Sequence, residues 1–165
     1  YNSGVFSPGL GILFNNCMSA FDPRPGSANS IEPGKARSTA VAETIVLEDG
    51  KPKLVLGSPG AARITAGIAQ VIANVTVYGM NVAEAVVQPR FDSYAKNLLL
   101  LESRFPARVV RDLAESGWGI IQSPNPFGVV GRVYAAEITS RDPLELIAGV
   151  DPGASGAAFR QVLAE

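Results

Sequence analysis

The chain has 165 residues, of which 47% are hydrophobic and 18% charged, which is typical of one globular domain with a core. Its net charge of −1 does not suit a phosphate backbone, so binding to nucleic acid is not expected. No apolar run approaches the roughly 18 residues that a membrane span requires, so no span is predicted.

Two residue types limit the chemistry that this chain can perform. It has no histidine, which removes Ser-His-Asp and Cys-His pairs and histidine-ligated metal sites. Its one cysteine, Cys17, excludes an intrachain disulfide and a cysteine cluster for zinc. Cys17 has no base pattern nearby, so it is not favoured as a nucleophile. We therefore expect no metal ion and no cofactor, and any nucleophile must be activated in another way.

The first stretch, YNSGVFSPG, has no initiator methionine and no signal-peptide pattern. Tyr1 cannot act as an N-terminal nucleophile, which requires Ser, Thr or Cys. We expect the chain to begin inside a longer protein.

A strand and a long loop are the first predicted elements. Residues 10–15 are typical of a short buried strand that ends at Asn15 and Asn16. Residues 21–38 contain three prolines and two glycines, which predicts a loop. A plain linker is one interpretation, but long irregular segments inside compact domains are more often functional.

A hairpin and a long helix follow. Residues 42–48 and 53–57 flank Asp49 and Gly50, a strong signal for a β-hairpin. Apolar residues then recur at helical spacing from about 61 to 77. This helix has few charged residues, so we expect it to pack against a sheet on a wide face.

The second half of the chain mixes both element types. Helices are predicted over 81–88, with Asn81 as the cap, and over 106–116. Residues 98–102 are typical of a strand between them.

Two more strands, over 118–122 and 127–138, and a short terminal helix complete the prediction. Strands dominate both ends and helices lie between them. This order favours an α+β layered sandwich over a regular βαβ alternation.

The junction between the strand at 53–57 and the helix is unusual in composition. Gly57-Ser58-Pro59-Gly60 leads directly into Ala61. The backbone N–H groups at a helix N-terminus have no partner within the helix and can bind an anion. The alternative is a tight turn without chemistry.

Several short stretches occur in a recognisable order along nearly the whole chain. They are GILFNN at 11–16, the Pro33-Gly34-Lys35 turn before Thr44-Ile45-Val46, LVLGSPGAARI at 54–64, YGMNVAEAVVQPRF at 78–91 and VDPG at 150–153. In this order they resemble the small subunit of γ-glutamyltransferases, in the N-terminal-nucleophile hydrolase superfamily.

The resemblance implies a four-layer αββα sandwich that is completed by a large subunit or an upstream segment. Residues 1–165 would be its C-terminal, small-subunit part, without the nucleophile segment. Members of the family are precursors that cut themselves, and the new N-terminal threonine of the small subunit is the nucleophile. That threonine is expected about twenty residues before Tyr1, and its amine can act as the base. The partner is the large subunit from the same precursor, which supplies an arginine for the substrate carboxylate.

The resemblance assigns the oxyanion hole to the backbone N–H groups of Gly60 and Ala61. The second position is usually glycine in the family. An alanine keeps the N–H but costs roughly 1–2 kcal/mol if the site requires a left-handed backbone. Arg63, early in the helix, is interpreted either as positioning an acidic group or the loop, or as a simple ion pair.

Four substrate-binding positions depart from the family pattern. The family places a glutamine and an aspartate against the substrate ammonium, and these positions are Cys17 and Ala20 here. A pair of serines usually holds the carboxylate, and the matching residues are Thr39 and Ala40. Charge-assisted hydrogen bonds contribute roughly 1.5–3 kcal/mol and neutral ones about 1. The losses predict a decrease in kcat/KM for a γ-glutamyl group of at least about two to three orders of magnitude.

Two interpretations of these departures are open. Ser19, Ser38 or Arg37 compensate for the lost groups, or the specificity has changed while the machinery is kept. In the second case Cys17 and Ala20 make an uncharged wall, and the preferred acyl group lacks a free α-ammonium.

The sequence therefore predicts a hydrolase or acyltransferase that acts through an upstream threonine on a small amino-acid-like or peptide substrate. One alternative is a branch of the family in specialised metabolism that cleaves another bond, such as a carbon–carbon bond. A second alternative is a catalytically inactive homologue that serves as a structural or binding partner.

Overall fold

The computed structural model describes residues 2–39, 41–157 and 160–163, and the chain divides into two compact units after Thr39. The first unit begins with an antiparallel hairpin of β1 (Asn2–Ser7) and β2 (Ile12–Asn15). A short 3₁₀ turn, Cys17–Ala20, and the 21–38 loop follow.

The second unit contains the remaining elements. In chain order they are β3 (Thr44–Glu48), β4 (Lys51–Gly57), a 3₁₀ turn (Ala61–Arg63), α1 (Ile64–Thr76), α2 (Val82–Val87), β5 (Phe91–Ala95), β6 (Leu98–Leu101), α3 (Ala107–Glu115), β7 (Gly119–Gln122), β8 (Tyr134–Arg141), β9 (Leu144–Val150) and β10 (Arg160–Leu163). The mixture of helices and mostly antiparallel strands confirms the α+β class.

The central feature of this unit is a five-stranded antiparallel sheet in the order β10-β9-β8-β4-β3. The β3–β4 hairpin turns at Asp49 and Gly50, both of which have positive φ, as a two-residue turn of this kind requires. Helices α1 and α2 cover one face of the sheet. Their shared core consists of buried apolar side chains: Leu54, Leu56, Ile64, Ile68, Val71, Val75, Val82, Ala85, Val86, Val133 and Ala135.

Local sequence signals explain where the helices begin. Asn81 accepts a hydrogen bond from the Glu84 N–H at 2.9 Å, and the Glu84 carboxylate accepts from the Asn81 N–H at 3.2 Å. This capping box satisfies backbone donors that have no partner inside α2. The predicted cap at Asn81 is therefore confirmed.

A second, three-stranded sheet has the order β5-β6-β7. Its β6 and β7 run parallel, and α3 forms the crossover between them. Across the described parts of the chain, no helix is long and apolar enough to cross a membrane.

The strand predicted as buried over residues 10–15 is β2, whose four residues are all exposed. Two further predictions differ from the structure in the type or extent of an element. The terminal segment was expected to be helical, but residues 160–163 form β10, which pairs with β9. The predicted strand over 127–138 begins only at Tyr134, and residues 127–133 are irregular. In both cases tertiary contacts decide the conformation, because β9 supplies a pairing edge and the 127–133 segment packs against the β4–α1 junction.

Candidate active site

The junction between β4 and α1 forms an open turn. After Gly57, the chain passes through Ser58 and Pro59 to Gly60, which has φ 149° and ψ 10°, and then enters the 3₁₀ turn at Ala61. Both Gly60 and Ala61 are exposed. Among the hydrogen bonds of the described residues, none uses the N–H of Gly60 or of Ala61. Two neighbouring donors are thus available for an oxygen that gains negative charge.

Ala61 adopts a left-handed backbone conformation with φ 52°. This conformation disfavours residues with a Cβ, so the strain anticipated for an alanine at this position is present, at about 1–2 kcal/mol. Backbone strain of this size persists only where the surrounding structure enforces it. The surroundings of this turn are therefore part of the site.

The 127–133 segment supports the turn from beneath. The Arg132 N–H donates to Ser58 Oγ at 2.9 Å and to the Pro59 carbonyl at 3.1 Å. A Cβ on Gly60 would lie 2.9 Å from the Cα of Gly131, and a Cβ on Gly131 would lie 2.8 Å from Ser58 Oγ. Glycine is favoured at both positions, because a Cβ on Gly60 would meet the Gly131 backbone and a Cβ on Gly131, which has φ 67°, would meet the Ser58 hydroxyl. We did not predict this contact, since Gly131 lay inside a predicted strand.

Arg63 contacts the same segment. Its Nη1 donates to the Val129 carbonyl at 3.3 Å, and its Nε lies 3.9 Å from Asp92 Oδ2. Both sequence interpretations are therefore realised in part, because Arg63 holds a loop carbonyl and also forms a long ion pair.

A buried charged cluster lies beneath the 127–133 segment. Arg90, Glu102 and Asp151 are all fully buried, and Arg90 Nη2 is hydrogen-bonded to Asp151 Oδ2 and lies 3.7 Å from Glu102 Oε1. Burial lowers the pKa of Arg90, and the neighbouring Glu102 opposes that shift. Glu102 also binds Arg104 at 3.2 Å. Arg90 and Asp151 lie in the QPRF and VDPG stretches noted in the sequence, but spacing along the chain does not reveal that the two residues meet.

The predicted ammonium-binding positions lie in the first unit. Cys17 is exposed in the 3₁₀ turn, and its N–H donates to Asn15 Oδ1 at 2.8 Å. Ala20 ends this turn, and its carbonyl accepts from Asn29 Nδ2 at 2.7 Å and from Ser38 Oγ at 3.3 Å. Neither Cys17 nor Ala20 provides a carboxylate or an amide, so no strong acceptor for an ammonium comes from these side chains.

The predicted carboxylate-binding positions follow the loop. Thr39 is exposed, and Ala40 lies outside the described residues. The neighbours that were proposed to compensate already bind backbone oxygens. Arg37 Nη1 donates to the Ser38 carbonyl at 2.8 Å, and Ser19 Oγ donates to the Asn16 carbonyl at 2.7 Å. Thr39 and these neighbours belong to the first unit, whereas Gly60 and Ala61 belong to the second.

The 21–38 loop is ordered by its own polar side chains. Asp22 accepts hydrogen bonds from the Arg24 side chain at 2.7 Å, from Ser27 Oγ at 2.7 Å and from the Arg24 N–H at 3.0 Å. These bonds, with that of the Arg24 side chain the largest, hold the pKa of Asp22 far below its usual range. Asn29 also binds Ser38, at 2.8 Å to its N–H. These bonds give the loop a defined local conformation.

Comparisons with known proteins identify the family of this chain. The family model described as gamma-glutamyltranspeptidase matches residues 1–160. An acylase proenzyme of a Pseudomonas species is 39% identical over 133 residues, which are 81% of this chain and 24% of that protein. A glutathione hydrolase proenzyme of Bacillus subtilis is 33% identical over 133 residues, 81% of this chain and 23% of that protein.

Solved structures show the same relationship. A γ-glutamyltranspeptidase variant of Helicobacter pylori has a TM-score of 0.82 at 35% identity, over 92% of this chain and 87% of that chain. A cephalosporin acylase from Bacillus halodurans has a TM-score of 0.86 at 25% identity, over 96% of this chain and 29% of that chain. The chain spans about a quarter of the length of the curated relatives that it matches. With a family model that matches residues 1–160, this chain belongs to the γ-glutamyltranspeptidase family, whose members are N-terminal-nucleophile hydrolases.

Proposed function

We propose that this chain is the small-subunit part of an acyl hydrolase that cleaves an N-acyl amide whose acyl group lacks the α-ammonium of a γ-glutamyl group. The observation that carries the proposal is the turn at Gly60 and Ala61, with two N–H donors side by side and without acceptors among the described residues. A tetrahedral intermediate needs such a pair of donors for its oxyanion, and one donor is typically worth about 10²–10³ in rate.

The proposed reaction begins with a threonine that precedes Tyr1 in the full protein. Its hydroxyl oxygen attacks the acyl carbon, and its own α-amine accepts the hydroxyl proton. The N–H groups of Gly60 and Ala61 hold the oxyanion of the tetrahedral intermediate. As the C–N bond breaks, the α-amine passes the proton to the leaving nitrogen and an ester to threonine remains. Water, or an acceptor amine, then attacks the ester carbonyl and gives a proton to the α-amine. The bond between the acyl carbon and the threonine oxygen breaks, the α-amine returns the proton to that oxygen, and the free acid or the new amide leaves.

The side chains at the predicted ammonium-binding positions, Cys17 and Ala20, support the proposed acyl group. An ammonium needs carboxylate or amide oxygens as acceptors, and the side chains at Cys17 and Ala20 supply neither. Burying an ammonium against such a wall would leave its donors without partners, which costs about 1–3 kcal/mol or more. An acyl chain that ends in a carboxylate but carries no amine, such as glutaryl, avoids this cost. The acylase proenzyme of Pseudomonas among the relatives is consistent with this choice.

A large subunit cut from the same precursor is the proposed partner. The face of the five-stranded sheet opposite the helices carries a continuous apolar row, in which Ile45 pairs with Val55, Val55 with Ala136 and Ala136 with Ala148. Ile45 is 60% exposed and Val55 is 46% exposed. Exposed apolar patches of this kind mark interaction surfaces, and a second sheet packed on this row would complete the αββα sandwich.

The decisive experiment compares two chromogenic amides that differ only in the α-ammonium, glutaryl p-nitroanilide and γ-glutamyl p-nitroanilide. The full precursor is expressed, and its maturation into two subunits is checked by mass spectrometry. We expect kcat/KM for the glutaryl substrate to exceed that for the γ-glutamyl substrate by at least about 10-fold, the equivalent of one lost hydrogen bond.

The glutathione hydrolase of Bacillus subtilis serves as the reference enzyme in the same assay. Equal or preferential turnover of the γ-glutamyl substrate by this protein would contradict the changed pocket. If the matured protein cleaves neither amide, the proposed hydrolase is wrong, and a role as a binding partner becomes the better explanation.

A further inference from the structure

We infer that Arg90 is a positioning residue for the turn at Ser58–Ala61, which it fixes through the backbone of residues 129–132. The inference rests on the proposed function of that turn. Arg90 does not touch the turn itself, because the intervening segment carries the contact.

The side chain of Arg90 reaches three carbonyl groups. Its Nε donates to the Val130 carbonyl at 3.1 Å, its Nη2 to the Gly131 carbonyl at 3.4 Å, and its Nη1 to the Val86 carbonyl at 2.7 Å. The guanidinium is planar and presents its donors in a rigid fork. It therefore fixes the 130–131 backbone relative to the end of α2.

Two buried carboxylates complete this clamp. Asp151 binds Arg90 Nη2, while Glu102 accepts the Arg90 N–H at 3.1 Å through Oε2 and the Val129 N–H at 3.3 Å through Oε1. Replacing buried ion pairs with apolar side chains of similar volume is often neutral or stabilising. Stabilisation of the whole fold therefore does not explain why these charged side chains are buried here. Holding Val129, Val130 and Gly131 at defined positions does explain it.

Residues 129–132, which Arg90 and Glu102 hold, in turn fix the backbone of the turn at Ser58–Ala61. The Arg132 N–H binds Ser58 Oγ and the Pro59 carbonyl, and the Cα of Gly131 lies against Gly60 with no room for a Cβ. A shift of Gly131 is therefore transmitted to the N–H groups of Gly60 and Ala61. A misplacement of about 1 Å in such donors can lower the rate by about 10²-fold.

The test uses the full precursor with Arg90→Lys. Lysine keeps a positive charge beside Asp151, but a single ammonium cannot reproduce the fork that binds Val130 and Gly131. We expect kcat per titrated active site to fall about 10- to 100-fold with KM changed less than about 3-fold. Affinity for a phosphonate that mimics the tetrahedral intermediate should fall by the same factor as kcat, and affinity for the product acid should not change.

Glu137→Gln is the matched control. Glu137 is also a buried charged residue of this unit, and it accepts the Val82 N–H at 3.0 Å and pairs with Lys53 at 3.6 Å. It pairs with Leu54 in the sheet, three residues or about 10 Å along β4 from Gly57. This variant should lower the melting temperature without changing kcat.

A second readout needs no substrate. Hydrogen exchange at the Arg132 amide, measured by mass spectrometry or NMR, should be at least about 10-fold faster in Arg90→Lys and unchanged in Glu137→Gln, because loss of the clamp frees this donor from Ser58 and Pro59. If Arg90→Lys does not mature, Ser58→Ala is measured instead, and its kcat should fall about 3- to 10-fold, the effect of one hydrogen bond.

Several results overturn the inference. They are a wild-type kcat in Arg90→Lys, an equal loss of kcat in Glu137→Gln, unchanged exchange at Arg132, or an unchanged kcat in Ser58→Ala. A wild-type precursor that cleaves neither amide contradicts only the proposed function, since the exchange experiment still decides whether Arg90 positions the turn.

Discussion

The two units of this chain are held in different ways. Around the turn at Ser58–Ala61, backbone touches backbone, and the fully buried side chains of Arg90 and Glu102 bind backbone groups that are distant in sequence. In the first unit, polar side chains bind nearby backbone groups, as in the bonds of half-buried Asn29 to Ala20 and Ser38. Long-range packing therefore fixes the turn at Ser58–Ala61, whereas local hydrogen bonds fix the first unit.

This difference indicates which of the two regions tolerates substitutions. A side chain at Gly60 would meet the backbone of Gly131, so the turn that carries the proposed oxyanion donors tolerates little change at this position. Cys17 and Ala20 are exposed side chains in a short turn, so they can be exchanged without loss of folding. Under the proposed function, tight packing around Gly60 keeps the oxyanion donors in place. The substrate preference can change through single substitutions at positions such as Cys17 and Ala20.

The largest effect is expected from Gly60→Ala. Its Cβ would lie 2.9 Å from the Cα of Gly131, and the residue has φ 149°. The turn must move, so both N–H donors are displaced and kcat/KM should fall by about 10³-fold. Strain should also lower the free energy of unfolding by about 1–3 kcal/mol. Steady-state kinetics and chemical denaturation of the matured enzyme measure the two effects.

Gly79→Ala is the control for this substitution, because Gly79 has φ 69° but open space around its Cβ position. It should reduce stability by about 1–2 kcal/mol through strain alone and leave kcat/KM intact. Similar kinetic losses in both variants would show that the contact with Gly131 is unimportant.

The next effect concerns specificity and is expected from Cys17→Gln combined with Ala20→Asp. The pair supplies acceptors for an ammonium, so the ratio of kcat/KM for γ-glutamyl over glutaryl p-nitroanilide should rise by about 10²-fold. Because both positions are exposed, the free energy of unfolding should stay within about 0.5 kcal/mol of the wild-type value.

Met18→Asp places the same charge in the same turn, at a position to which the resemblance assigns no substrate contact, and it should leave the ratio unchanged. An unchanged ratio in the double variant would indicate that these positions do not face the substrate.

A smaller and opposite effect is expected from Ala61→Gly. Glycine removes the strain of φ 52° but loses more conformational entropy on folding. The net gain should be about 0.5–1 kcal/mol in the free energy of unfolding, with kcat changed less than about 3-fold because the N–H remains.

Ala62→Gly, at the next position of the same 3₁₀ turn, does not relieve a positive φ and should destabilise by about 0.5–1 kcal/mol. Equal changes in the two glycine variants would argue against strain at Ala61.

The smallest effect is expected from Asp22→Asn. Its folded-state pKa is depressed, so the Asp22 carboxylate stabilises the 21–38 loop at pH values above its unfolded pKa, and this contribution is lost as pH falls through the folded value. At neutral pH the variant should be cut faster by protease within the loop, while global stability and kcat stay the same.

The difference in cleavage between variant and wild type should shrink only at strongly acidic pH, when an acid-active protease is used. A difference that persists there would mean that the bonds of Asp22 to Arg24 and Ser27 are not what orders the loop.

Local chemistry was sufficient to predict many elements. The turn at Asp49 and Gly50 and the cap at Asn81 are set by residues within four positions of each other, so the sequence contains the whole signal. The terminal strand was missed because apolar spacing over a few residues does not distinguish a helix from a strand that pairs with β9.

The candidate site was predictable only in part. The turn at Gly60 and Ala61 was identified because it is contiguous in sequence. The supporting contact at Gly131 and the cluster of Arg90, Glu102 and Asp151 join residues far apart in the chain, and neither composition nor periodicity reports which of them meet. The sequence predicted strain at Ala61 only if the site requires a left-handed backbone there. The φ of 52° shows that Ala61 has this conformation.

The pairing of Arg90 with Asp151 spans 61 residues and has a consequence for synthesis. On the ribosome, the segment that contains Ser58 emerges well before Asp151, so the growing polypeptide lacks the counter-ion of Arg90 for much of its translation. A precursor that requires this arrangement to cut itself would remain intact until nearly all of this chain has left the exit tunnel. Truncation of this chain before Asp151 would then leave an uncut product.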